Sequence, residues 1–383
     1  MAGKTHRGGQ ARDGSGRAVQ FQISRHARPS FKQLKTLWNS LEGGVVASPF
    51  QMPMFLTAFH QHIAPSTCRR PLTLLSATPN GGEAPAALLP LVTVRRGPVK
   101  VVTMPDLGLA DQNAPVLSKW LVEDPHLAGL ACEALLDAVG GGDILDIPKV
   151  GPLIGTAANP LFDRSETVDV GWTYYFGEEG LAAIDASGGK SVFKEARSKF
   201  RKLQRQGVEL LEVTDPEARQ ALLEALLAQR ETRFAALDRD NSIETGNRAD
   251  FYKAISAADA QDCPFKMLAL KKGEEVVASV VLMVHGESAN GILVSIGDVA
   301  WHRLSPGIVL VVQSLKWARE NGIRNFSFGT GLQDYKKRFG AQELPTRRLL
   351  RPLTVKGRVF ATALHAKLRA KSLLEQQEQT PGS

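Results

Sequence analysis

The sequence predicts an α/β (α+β) protein of two domains. Three observations carry that expectation. The chain of 383 residues is long enough for two cores of ordinary size. Its composition, 43% hydrophobic and 22% charged, is that of a folded globular protein, so collagen, coiled coil and disorder throughout are excluded. Strand-like apolar runs alternate with segments of helical period in the first half, and in the second half two helices precede a run of strands. The longest apolar run, Val276 to Val284, contains Ser279 and falls far short of the roughly 20 residues that cross a bilayer.

The first 18 residues are rich in Gly, Arg and Gln and read as a disordered basic tail with no apolar signal region. A strand at Ala18 to Ser24 and an amphipathic helix at Phe31 to Leu41 follow. Ser48-Pro49 opens a second helix with Pro in its first turn. Strands at 72 to 77 and 86 to 94 flank the turn Pro79-Asn80-Gly81-Gly82. A helix from Pro125 to Val139 stops at Gly140-Gly141-Gly142, and a strand runs from Asp143 to Ile147. The first domain is thus expected over 19–167.

The second domain is expected over 168–355. It opens with helices at 190 to 206 and 216 to 237. Strands at Lys266 to Leu270, Glu275 to Val284 and Gly291 to Ile296 come next, with Lys271-Lys272-Gly273 as a hairpin turn. In the helix Pro306 to Asn321, Ser305 stands at the N-cap, Pro306 at N1, and Gly322 ends it. Ile308, Val311, Val312 and Leu315 form one apolar stripe. A strand at Asn325 to Phe328, a short basic helix at Asp334 to Phe339, a strand near 347 to 354 and a basic helix at 357 to 376 complete the chain, the last lying in a tail over 356–383.

The chain carries 47 basic and 39 acidic residues, a net charge of +8. The excess is local: six bases and one acid in residues 1–28, seven and one in 190–206, eight and none in 347–371. Such segments suit an anionic partner, whether a phosphorylated cofactor, a nucleotide or an anionic lipid, and equally suit a solvated helix face. No helix-turn-helix, zinc-finger spacing or aromatic pair in a basic strand speaks for nucleic acid. Three cysteines far apart, with no C-x-x-C, give neither a zinc site nor a disulfide framework and fit a reducing cytoplasm. Ser187-Gly188-Gly189-Lys190-Ser191 imitates a P-loop, yet that motif needs Gly where Ile184 stands.

The stretch Trp301-His302-Arg303-Leu304-Ser305-Pro306-Gly307, the run Asn325 to Gly331 and Tyr335-Lys336-Lys337-Arg338-Phe339-Gly340 stand in one order. With Leu89 to Val92 and Asp111 to Val116, they resemble the CelD/BcsL-type acetyltransferases of bacterial polysaccharide synthesis, a branch of the GNAT acyltransferases. The resemblance spans roughly residues 45 to 345. It implies two tandem GNAT-like domains laid out as in the Fem-type aminoacyltransferases, each a mixed, mostly antiparallel sheet flanked by helices. The chain departs from the branch at Ser327, where Asp is usual, and at Arg303 to Ile308, where Pro306 replaces the first Gly of the pyrophosphate loop. The segment Lys199 to Gln204 lacks the Asn and second Arg of K-x-R-x-N-[LI]-R.

The resemblance implies an acetyl-CoA-dependent N- or O-acetyltransferase acting on a saccharide or lipid-linked saccharide by direct transfer, without metal. Arg303, Ser305, Pro306, Gly307, Ile308 and Lys336 are candidates for holding the donor, because a helix start offers free N–H groups to a pyrophosphate. A plain capped helix would read the same. Tyr335 is the candidate acid for the leaving thiolate, and Asp298 or His302 the candidate base. Asp111, Asn113, Lys199 and Arg201 are candidates for the acceptor. Two alternatives stand beside this: a non-catalytic module binding an anion such as cyclic di-GMP at Arg197/Arg201/Arg205 or Arg347/Arg351, and a Fem-type aminoacyltransferase. The C-terminal helix, with Val359, Phe360, Ala363, Leu364 and Leu368 near one face, suggests a peripheral contact with anionic lipid at the inner membrane face.

Overall fold

The computed structural model describes residues 11–12, 18–186, 191–238, 247–330 and 334–378. The rest of the basic tail expected at residues 1–18, most of the P-loop imitation and the final residues lie outside them; of that tail, Ala11–Arg12 pairs with Ala18–Val19. The chain divides into two compact units, each discontinuous in sequence. Unit 1 is Met1–Pro53, Thr67–Gly171 and Pro345–Ser383; unit 2 is Met54–Ser66 and Trp172–Leu344.

Unit 1 begins with β1 (Phe21–Ala27) and α1 (Phe31–Asn39). Ser30 and Gln33 close a capping box on α1, and Leu34 and Trp38 are its buried residues. Then come β2 (Cys68–Pro79), β3 (Ala87–Arg96), β4 (Val99–Thr103), β5 (Val116–Ser118), α2 (Pro125–Asp137) and β6 (Ile144–Val150). Asp124 caps α2 by accepting from the N–H groups of His126 and Leu127. β1 to β4 form an antiparallel meander, β5 pairs with β3, and β6 runs parallel to β4. The core packs α2 residues such as Ala131 and Leu135 on Leu89, Val102 and Leu145.

The helix expected at Ser48 begins as a single 3-10 turn, Pro49–Gln51, with Ser48 as its cap. Met52 is extended because Pro53 follows it. The helix then resumes at Pro53 and passes through a π-turn, Phe59–Ile63, in which Ala64 N–H bonds the Phe59 carbonyl. Pro65, which has no N–H to continue the α-helical ladder, accounts for the wider turn. This segment belongs to unit 2, where Phe55 meets Phe251 edge-on at 5.1 Å.

Unit 2 continues with β7 (Glu166–Phe176, of which Trp172 onward belongs here), α3 (Glu178–Ala186), α4 (Ser191–Arg205), β8 (Glu209–Val213), α5 (Pro216–Ala236) and α6 (Arg248–Ser256). The hairpins β9 (Phe265–Lys272), β10 (Glu275–His285) and β11 (Ser288–Ile296) follow. Then come α7 (Pro306–Glu320), β12 (Asn325–Thr330) and α8 (Asp334–Phe339). The strand order is β8-β9-β10-β11-β12-β7. Among the described residues of this unit only β11 and β12 are parallel neighbours, because α7 carries the chain across between them. Side chains alternate across the sheet: Ala278, Val280 and Leu282 share a core with Val309, Leu310 and Leu315 of α7. Ser279 and Ser295 point to the other face, where α5 lies.

The chain then returns to unit 1. β13 (Gln342–Pro352) pairs antiparallel with β6 from Arg347 to Pro352. Arg348 Nε sits 2.7 Å from Asp146 Oδ1, and Arg96 Nη1 is 2.7 Å from the other oxygen. Asp146 is fully buried, so its charge is held by two guanidinium groups. The last helix, α9 (Val355–Glu378), packs on β4 and β6. Ala361 lies in a small core with Val99, Val101 and Ile144, with Phe360 against it. Helical period puts Gly357, Ala361, Leu364 and Leu368 on the packed stripe, and leaves Val355 and Val359 78% and 68% exposed. The apolar face expected to meet lipid is therefore split, with its inner part used within unit 1.

A Cβ on Gly357 would strike the Asp143 carbonyl oxygen. Gly357→Ala is therefore expected to lift α9, with a loss of about 1–3 kcal/mol in urea unfolding. Faster proteolysis near residue 360 would report the same event.

Candidate functional site

β11 and β12 pair only at Ser288–Asn325, Ala289–Phe326 and Asn290–Ser327. Beyond Asn290 the two strands part, although β11 runs to Ile296 and β12 to Thr330. The Gly297 N–H bonds the Val277 carbonyl, so the antiparallel alternation leaves Val294 and Ile296 unbonded to β10. Their N–H and C=O groups face the opening between the strands. Openings at the carboxyl ends of parallel strands are where α/β folds take ligands.

A bulge drives the parting. Thr173 pairs with Thr330 but Tyr175 with Ser327, so β12 carries one residue more than β7 over the same span. Gly329, at φ 74°, supplies the left-handed backbone this requires. Ser327 Oγ accepts from Gly329 N–H at 3.0 Å and lies 3.4 Å from Thr173 Oγ1. Ser327 is buried; it occupies the place where Asp was expected and holds the bulge with its hydroxyl. Lys336 Nζ donates to the carbonyls of Gly329 (3.3 Å) and Thr330 (2.9 Å) and stands 5.4 Å from the centre of the Tyr174 ring. Lys336 is only 2% exposed. Its expected role at the donor is corrected accordingly: the ammonium is turned inward to brace the end of β12.

α7 starts directly over the end of β11. A Cβ on Gly307 would lie 2.9 Å from Ile296 Cδ1, so a side chain there would have to push the end of Ile296 aside. The sequence assigned Ser305 an ordinary cap, but its φ is 46° and its side chain makes no cap bond. Ser305 Oγ instead accepts from Lys199 Nζ at 2.8 Å. Pro306 has no N–H to cap, and the first N–H groups of α7 are left without that side chain. Lys199 also donates to Glu195 Oε1 at 2.6 Å, which holds the Glu195 carboxyl below its ordinary range. A lowered carboxylate value means the pairing is fully present above the unfolded value and is lost as pH falls through the folded one.

The remaining sequence candidates fall around this helix start or away from it. Asp298 is exposed and caps the 3-10 turn Val299–Leu304 by accepting from Ala300 N–H at 2.7 Å. His302 and Arg303 are exposed on that turn. Trp301 anchors the turn by donating to Glu275 Oε1 at 2.6 Å. Pro306 is buried, and Ile308 packs against the core. Arg201 is exposed with Nε on the Arg197 carbonyl. Tyr335 lies on α8; its side chain is outside the described residues.

Asp111 and Asn113 belong to unit 1, where β4 and β6 repeat the parallel arrangement. There the opening is filled. Asn113 N–H bonds the Lys149 carbonyl at 3.0 Å, its Nδ2 bonds Pro148 O and Asp106 Oδ2, and Lys149 pairs with Asp106. Asn113 is fully buried, so this side chain belongs to the plug rather than to a sugar surface. Asp111 is half-buried beside it. Arg347 lies over the Phe162 ring at 3.9 Å and Arg351 pairs with Glu133 at 3.1 Å, so that R-x-x-x-R pair is spent within unit 1.

Sequence reasoning missed Arg230. It sits on α5, on the face opposite α7, and its Nη1 donates to the Val294 carbonyl at 3.1 Å. Nothing in the helical pattern of α5 marks it, because the signal is the strand edge that it reaches. Next to it, Gln229 bridges Ser295 and the Val276 carbonyl.

Residues 190–337 match the family model described as acetyltransferase (GNAT) domain. No curated protein matches the sequence. Among solved structures, FemX is similar at 11% identity over 89% of this chain and 100% of its own, with a TM-score of 0.58. L-PGS from Bacillus licheniformis is similar at 12% over 90% and 98%, TM-score 0.50. A tandem GNAT protein from the clavulanic acid biosynthesis pathway is similar at 12% over 87% and 98%, TM-score 0.41. The matched residues lie wholly within unit 2, which places a GNAT-type acyltransferase domain there. The tandem GNAT-like fold implied by the sequence is the fold observed.

Lys336→Met takes the ammonium from the Thr330 carbonyl and leaves the Gly329 carbonyl with Thr173 Oγ1 as its side-chain donor. Stability to urea is expected to fall by about 1–3 kcal/mol. An unchanged midpoint would show that the bulge stands without it.

Proposed function

We propose that the protein transfers an acetyl group from acetyl-CoA to an amine or hydroxyl of a saccharide, or of a lipid-linked saccharide, in polysaccharide synthesis. The observation that carries this reading is the edge of β11 beyond Asn290, which pairs with no strand on that side, lying under the start of α7. An extended donor with amide groups adds to a strand edge through backbone bonds, and its pyrophosphate suits the helix start with Lys199 beside it. The thioester then lies in the opening, where the acceptor attacks its carbonyl carbon and the C–S bond breaks. Tyr335 is assigned to protonate the departing thiolate; Asp298 and His302 are the candidates to take the acceptor's proton, directly or through water.

Direct transfer is favoured over an acyl-enzyme by the state of the cysteines. Burial raises the thiol of Cys68 and Cys263 and pushes Cys132 up to about 12, so none is poised as a thiolate.

A second reading, aminoacyl transfer of the Fem type, uses the same opening. It is supported by the exposed Lys194, Arg201, Lys202 and Arg205 of α4, which would suit a polyanionic donor. Isothermal titration with acetyl-CoA separates the two, since only the first requires saturable binding.

Gly307→Glu places a carboxylate at the helix start and crowds Ile296. Acetyl-CoA affinity is expected to fall about tenfold or more, with Gly307→Ala controlling for crowding alone. Wild-type affinity in a folded Gly307→Glu protein would sink the donor assignment. Tyr335→Phe is expected to lower kcat by about 10²–10⁴ with donor affinity kept. A change within about threefold would make the proton donor water or the substrate.

A further inference from the structure

Arg230 stands at the opening from the side opposite the helix start. α5 covers the face of Ser279 and Ser295, whereas α7 covers the face of Ala278, Val280 and Leu282. Nη1 of Arg230 reaches round to the Val294 carbonyl, one of the groups that β11 turns toward the opening. The guanidinium carbon lies over the Phe234 ring, 4.9 Å from its centre. Its Nε is buried with no hydrogen-bond partner. Among the described residues no carboxylate pairs with it, whereas the half-buried Arg348 has Asp146; the buried Arg219, which also has none, gives its guanidinium to three backbone carbonyls.

A guanidinium carries five N–H donors in a planar fork that matches the two oxygens of a carboxylate or phosphate. A strap between α5 and β11 would need one donor. Here a half-buried fork beside a ring is left with donors to spare at the mouth of the cleft. We propose that Arg230 receives an oxyanion carried by the acyl acceptor, so that the acceptor is a phosphorylated or carboxylated molecule rather than a neutral sugar. The inference rests on the acyl-transfer reading of the same cleft. The donor's own anion is taken by α7 on one face; the attacking molecule enters from the other, past Arg230. Burial lowers the Arg230 pKa from its ordinary value, in the direction expected of a cation that lacks a counter-charge.

The first test uses the full chain with ¹⁵N-arginine label and saturating coenzyme A, which occupies the donor end. One Nε–Hε resonance, identified by its loss in Arg230→Lys or Arg230→Gln, is followed during titration with phosphate, acetate or chloride at constant ionic strength. A saturable shift with phosphate or acetate, absent with chloride, is expected, and the stronger of the two names the acceptor's anion. A resonance that does not move, or that moves equally with chloride, overturns the proposal.

The second test measures thiol release from acetyl-CoA with glucosamine and glucosamine 6-phosphate. Wild type is expected to prefer the phosphorylated sugar by about tenfold or more in kcat/KM. Arg230→Gln is expected to lose that preference while binding acetyl-CoA as before. A preference that survives in Arg230→Gln refutes the assignment. Failure of the wild type to bind acetyl-CoA would instead defeat the donor reading and leave the resonance titration to judge Arg230.

Discussion

The early end of the β11–β12 ladder is the constraint on which the site depends. Three residue pairs join the strands, and then the bulge in β12 takes it away from β11. Every part of the candidate site is a consequence. The freed carbonyl of Val294 gives Arg230 something to reach, and the Ile296 side chain at the end of β11 packs directly against Gly307. The bulge itself is held by buried polar groups, Ser327, Thr173 and Lys336, whose bonds would be costly to leave unmade in a dry interior.

The two units use one pattern to different ends. Each has an antiparallel meander, a helix that crosses over, and a parallel strand beside the last strand of the meander. In unit 1 the space beyond the parallel pair is closed by the chain itself, with the buried Asn113, Asp106 and Lys149 bonded to one another and to β6. In unit 2 the matching edge meets only a side chain among the described residues. The difference points acyl-transfer chemistry to the second unit, where the GNAT family model also matches.

Much of this was legible in the sequence, because its signals are local. The helix start at Ser305-Pro306-Gly307, the β9–β10 hairpin with its Gly273 turn and the basic helix Asp334–Phe339 all follow from neighbouring residues. What was not legible depends on residues distant in the chain. Lys336 reads as a surface base until β12 turns its carbonyls toward it. Ser305 reads as a cap, yet Lys199, more than a hundred residues earlier, takes its hydroxyl. β8, with its outward Glu209 and Glu212, shows too little apolar alternation to be recognised alone; it is a strand because β9 pairs with it from Glu209 to Val213. Helix α6 was missed for a similar reason, since its Phe251 and Tyr252 are paired with aromatics from other segments.

Unit 1 is interrupted by nearly all of unit 2, and this bears on how the chain is made. The edge of β6 and the two guanidinium groups that neutralise Asp146 are completed by β13, which ends at Pro352, and the outer core by α9 after it. During synthesis from the N-terminus, the first unit must wait with an uncovered strand edge and a half-compensated buried carboxylate while the whole second unit emerges. An uncovered edge invites pairing with other chains. The second unit, whose sheet residues run almost uninterrupted from Trp172 to Thr330, has no such wait, apart from the early helical segment Met54–Ser66 that it takes up. The first unit can therefore be completed only after the second has been synthesised, and the C-terminal strand and helix act as the latch that finishes it.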